Sequence, residues 1–186
     1  EDPCLCQLSV QCQDEVGVLC KLCELLMGHA IDVEHAEINT EEGMVNNVFT
    51  LRAPRASHFR RAGDWCRELE ATLHRKSRPM YEESLSSLSR RLSVNPDLLS
   101  VTSFQEVPEK RGEKPGQVWY HAELQGINQT GLLAYTSHVI SRCGFSIVTA
   151  KISTADGIVS DSFELVTESK AAERMLRSYL AIPLKA

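Results

Sequence analysis

Residues 128–131 read Asn-Gln-Thr-Gly and run directly into an apolar segment, and Asp14, Glu15, Val16 and Gly17 repeat the plan near the start of the chain. The first amides of a helix lack intrahelical acceptors and carry partial positive charge, so a glycine turn at that point can cradle an anion without a β-carbon in the way. A carboxylate would lie on those amides around Thr130, Gly131 and Leu132, and Asn128 or Asp161 stands where an adjoining ammonium would be taken. Asp161 interrupts the apolar alternation of Val159, Phe163 and Leu165, just as Asn47 interrupts Val45, Phe49 and Leu51. A polar group on an apolar face needs a partner. A ligand, a local backbone bond or a contact between units would each supply one, and the loop glycines serve equally as a cradle or as a simple turn.

The other reactive side chains point away from catalysis. The six histidines are dispersed, with no nucleophile or carboxylate at a recognisable spacing. Cys4, Cys6 and Cys12 share one period-two face with Leu8 and Val10, while Cys20 and Cys23 lie on a helical stripe with Leu19, Leu22 and Leu26. Both patterns read as buried thiols, with no paired zinc spacing, so no metal, cofactor or catalytic residue is expected. The serines between Ser84 and Ser93 read as a solvated face, and Trp65 and Trp119 as packing or seam residues. Seven cysteines in a 186-residue chain, 42% hydrophobic, suit a reducing compartment better than a disulfide scaffold.

A net charge of −5 and a pI of about 5.7, with scattered basic residues, argue against a nucleic-acid or membrane surface. No stretch approaches the roughly 20 apolar residues of a membrane span, and the beginning, "EDPCLCQL", lacks the plan of a signal peptide. The expectation is a soluble protein.

The elements that hold the two loops are related by an internal repeat. Displaced by 114 positions, residues 14–51 lie on 128–165 without a gap and share nine identities, among them Gly17/Gly131, Ala36/Ala150, Gly43/Gly157 and Phe49/Phe163. About two or three would follow from composition. Each copy reads as an alternating strand, the polar-Gly loop, a helix over 17–28 or 131–142 behind a capping Asp14 or Asn128, and a second strand. A tight turn at Gly43 or Gly157, a third strand and a second helix complete it. In the first copy the second helix carries Ala62, Cys66, Leu69 and Leu73 and starts behind Ser57. A further helical stretch holds Leu85, Leu88 and Leu92. Residues 98–106 offer a fourth strand to the first copy; the second has only "AIPLKA" left, and either lacks that strand or borrows it. Residues 107–117 read as an exposed linker. The domains expected are therefore 1–106, with a long helical insertion, and 118–186. The class is α+β, with antiparallel sheets and helices on one face.

With "DEVGVL" and "NQTGLL" in the loop, "AEINT" and "AKIST" at the end of the second strand, and "NNVF" and "SDSF" in the third, the repeat resembles the ACT domain. The whole is similar to the tandem ACT-repeat proteins of plants and algae. That resemblance implies two ferredoxin-like (βαββαβ) units packed side by side and a regulatory, non-enzymatic role in the cytoplasm or a plastid. It further implies a free amino acid bound at the seam between the loop of one unit and the second strand of its neighbour, a regulated metabolic enzyme or other protein partner, and a homodimer. Where the family has Asn at the start of the second strand, this chain has Asp32 and Ser146, and Glu15-Val16 or Gln129-Thr130 replaces its Arg-Pro. An aspartate repels a ligand carboxylate, so the second copy, with neutral Asn128, Gln129 and Ser146, is the expected site, and Asp14, Gly17 and Asn47 its counterpart. A ligand-independent scaffold is the alternative, and an acyl-phosphate hydrolase lacks its loop arginine.

Overall fold

A computed structural model describes residues 4–15, 17–55, 58–59, 62–74, 83–108 and 116–180. The first copy supplies β1 (Cys4–Gln13), α1 (Val18–Gly28), β2 (Asp32–Glu41), β3 (Met44–Ala53) and α2 (Ala62–Leu73). Between the copies lie α3 (Leu85–Arg91) and β4 (Leu99–Glu106). The second copy supplies β5 (Val118–Ile127), α4 (Leu132–Arg142), β6 (Ser146–Ala155), β7 (Ile158–Thr167) and α5 (Lys170–Tyr179). Ser57, the terminal "AIPLKA" and residues 109–115 of the expected linker lie outside the described residues.

All seven strands form one antiparallel sheet in the order β1-β3-β2-β6-β7-β5-β4, so the architecture is α+β. The copies meet at β2 and β6, where Ala36 faces Ile152 and Ile38 faces Ala150. Midway between those pairs Glu37 lies opposite Lys151, its own equivalent 114 positions on, which places a pseudo-twofold axis between the two. Opposite charges there favour this register. The alternation of each strand puts Val10, Phe49, Leu51, Leu124, Phe163 and Leu165 on a single face, where they join the helices in one continuous core. α1 and α4 pack on each other across the seam.

Local chemistry repeats with the sequence. Glu42 and Asp156 have φ of 50° and 51°, and Gly43 and Gly157 follow at 76° and 75°, the two consecutive positive-φ residues that a type I′ hairpin requires. Past α1 and α4, Ala30 and Gly144 take the left-handed conformation that closes a helix, with Ile31 N donating to Leu26 O in the first copy and Phe145 N to Ile140 O in the second.

Two expectations need correction. Asp14 and Asn128 do not cap the helices; Gly17 and Gly131 occupy the cap positions, each with φ of 87° and no side-chain cap bond. Residues 99–106 pair with β5 of the second copy, not with β1 of the first. Gly126 explains the choice, because a β-carbon there would lie 2.4 Å from the Leu98 carbonyl oxygen, and the equivalent position in β1 is Cys12. Phe104 then stacks on Tyr120, with centroids 5.0 Å apart, beneath the Arg177 guanidinium. The Tyr120 hydroxyl donates to Glu173 of α5, which also holds Arg177.

Candidate functional site

The pseudo-twofold axis creates two related hollows at the seam. Each is walled by the polar-Gly loop of one copy and by the helix end and second-strand start of the other. The first holds Asp14, Glu15, Gly17 and Asn47 together with Ser141 and Ser146. The second holds Asn128, Gln129, Gly131 and Asp161 together with Met27 and Asp32, the 114-shifted equivalents of those six. Their enclosed volumes are small and alike, about 40 and 30 Å³, so the two differ in chemistry more than in room, and a ligand larger than a few waters must extend into the mouth or displace side chains.

This geometry redistributes the expected site. Ser146 lies across from the first loop, so it does not join Asn128 and Gln129; Asp32 does. Thr130 is exposed and lines neither hollow, while Leu132 is buried in the wall of the second.

The loop of the second hollow is held by other parts of the chain. Asn128 Nδ2 donates to Asp32 Oδ2 at 3.2 Å. The Gln129 amide clasps the Asn95 backbone, accepting from its N–H at 2.6 Å and donating to its carbonyl at 3.1 Å. A β-carbon on Gly131 would lie 2.7 Å from the Leu92 carbonyl oxygen and 2.9 Å from the Met27 sulfur. The segment from α3 to β4 is held there by Arg91, which bridges Glu24 of α1 and Glu83, and by Arg142, which donates to the Glu83 carbonyl. Met27, Leu92 and Asn95 carry no site signal in the sequence, because nothing in a repeat shows which segment packs on its loop.

Asn47 and Asp161 do equivalent structural work. The β2–β3 ladder lapses between Glu37/Val48 and Thr40/Val45, and Asn47 Oδ1 accepts the Asn39 N–H at 3.2 Å. The β6–β7 ladder lapses at the same place, and Asp161 Oδ1 accepts from Ser153 N at 3.4 Å. Both residues are buried. Desolvation raises the Asp161 carboxyl to about 7, only partly offset by that backbone bond. Near it, the Thr154 hydroxyl is buried with no hydrogen-bond partner among the described residues.

The two hollows therefore present opposite chemistry at matching points. The first offers side chains with hydrogens to donate at Asn47, Ser141 and Ser146; the second has an acid, a thioether and another acid there. At the exposed lip the order reverses, with Asp14 and Glu15 in the first against Asn128 and Gln129 in the second. Lys21 lies 3.9 Å from Glu15.

Elsewhere the thiols are free, and burial pushes Cys20 and Cys143 up to about 12, well removed from reactive thiolates. His29 contacts Glu68 and His121 contacts Glu123 at the surface. No helix among the described residues is long and apolar enough to cross a membrane. No protein-family model matches the chain, and no curated protein matches it.

Proposed function

We propose that the chain is a tandem ACT-type regulatory module, two ferredoxin-like units that bind one free amino acid per chain in the first-loop hollow. Its carboxylate would lie inward, toward the start of α1, the Asn47 amide and the Ser141 and Ser146 hydroxyls, and its ammonium at the acidic lip of Asp14 and Glu15. The observation that carries this reading is the exchange of acceptors for donors between the two related hollows, since a carboxylate needs donors. A zwitterion in this position touches both copies at once. It would favour one arrangement of the seam and so alter affinity for a metabolic enzyme or other protein partner, with a homodimer as the expected assembly.

Thermal unfolding of the parent protein against each of the twenty amino acids at millimolar concentration tests the proposal. It expects a rise in melting temperature for a small subset, lost in Ser141→Met, which places in the first hollow the side chain that Met27 places in the second. Flat curves for all twenty would remove it. The occupied state of the second loop favours a different reading, a ligand-independent scaffold, which predicts flat curves together with a partner recovered equally with and without amino acids.

A further inference from the structure

We propose that the second-loop hollow is a separate site for a small alkylammonium cation. Five features support it, and none depends on amino-acid binding at the first hollow. Two carboxylates, Asp161 and Asp32, face this space, and no lysine, arginine or histidine among the described residues lines it. Asp161 is 4% exposed, and its hydrogen bond to Ser153 N is long at 3.4 Å. Thr154, 8% exposed, lines the same wall with a hydroxyl oxygen that has no partner among the described residues and can accept from an ammonium. The Leu92 carbonyl oxygen lies against the Gly131 turn, 2.7 Å from where a β-carbon would stand, and its partial negative charge disfavours an anion at the start of α4. Around these oxygens Met27, Ile31, Ile152 and Val159 form apolar walls suited to a short alkyl tail.

The first hollow does not share this character, because Asn47 and Ser146 stand where Asp161 and Asp32 stand here. A buried carboxylate without a counter-charge is costly, and an ammonium hydrogen-bonded to it offsets that cost. The other titratable groups lining the hollow are the Cys23 thiol of α1 and the Asp32 carboxyl of β2, which is bonded to Val33 N and Asn128; the thiol is held neutral by burial, its own pKa raised well above the usual range. β6 contributes Ile152 and Thr154, and β5 sets Leu124 opposite Asp161, none of them titratable. Binding should therefore strengthen as pH rises through about 7, where Asp161 ionises.

The test uses n-propylammonium chloride, with n-propanol, sodium propionate and potassium chloride at matched ionic strength as controls. Melting temperature and calorimetric affinity are measured at pH 8 and pH 5.5. The expected result is a rise in melting temperature with n-propylammonium alone, larger at pH 8. Affinity should fall about tenfold or more in Asp161→Asn and less in Thr154→Val, and stay unchanged in Ser141→Met. Asn47 already fills the equivalent position in the first copy, so Asp161→Asn is expected to fold. An equal response to n-propanol, a response retained in Asp161→Asn, or no response in the parent at either pH would overturn the proposal. Loss of the response in Ser141→Met would also overturn it, by assigning the cation to the first hollow.

Discussion

The first-loop and second-loop hollows are built from equivalent positions, yet the α3–β4 segment packs on the loop of the second and, among the described residues, not on the loop of the first. A repeat supplies two sites of one shape; a handful of unequal residues decides what each can hold. Met27 against Ser141, Asp32 against Ser146 and Asp161 against Asn47 convert a donor-lined hollow into an acceptor-lined one. The intervening segment adds to the asymmetry because its strand joins the second copy, through Gly126 and Phe104, while Arg91 ties its helix to Glu24 of the first.

The largest effect expected is from Phe104→Ala. It removes the ring stacked on Tyr120 and should cost about 3–5 kcal/mol in denaturant unfolding. If β4 were incidental to the second copy, the cost would be far smaller. Asp161→Asn acts in the opposite direction. A carboxyl raised to about 7 in the folded protein makes the native state hold its proton longer than the unfolded chain does, so stability falls as pH climbs from about 4 to 7. The variant should match the parent near pH 4 and exceed it at pH 8 by up to roughly 4 kcal/mol. Identical pH profiles would mean that Asp161 is not the buried acid of the second hollow.

Gly131→Ala should cost about 3 kcal/mol, from a left-handed backbone and a clash with the Leu92 carbonyl. Tolerance of the alanine would show that the segment does not press on the loop. Smallest is Ala30→Gly, which places in the first copy the glycine that Gly144 supplies to the second. Relief at φ of 55° should stabilise by about 0.5–1 kcal/mol, read as a modest rise in unfolding midpoint.

Much of this was legible in the chain. The 114-residue repeat, the alternation around Phe49 and Phe163 and the turn glycines announced strands, helices and hairpins, because those signals are local. The position of β4 was not, since it depends on a missing β-carbon at Gly126 and on one aromatic stack, contacts made only after folding. The site was half legible. Both loops and the pair Asn47/Asp161 stood out, but periodicity carries no record of which strand start faces which loop, so Ser146 was grouped with Asn128 when it faces Asp14. The backbone bonds that Asn47 and Asp161 make were open as one reading, and the lapses in the two ladders explain them.

Calorimetric stoichiometry of a stabilising amino acid, in the parent, Ser141→Met and Thr154→Val, bears most directly on the difference between the hollows. One molecule per chain is expected in the parent, none in Ser141→Met and one in Thr154→Val. Two molecules per chain, or binding that survives Ser141→Met, would contradict it.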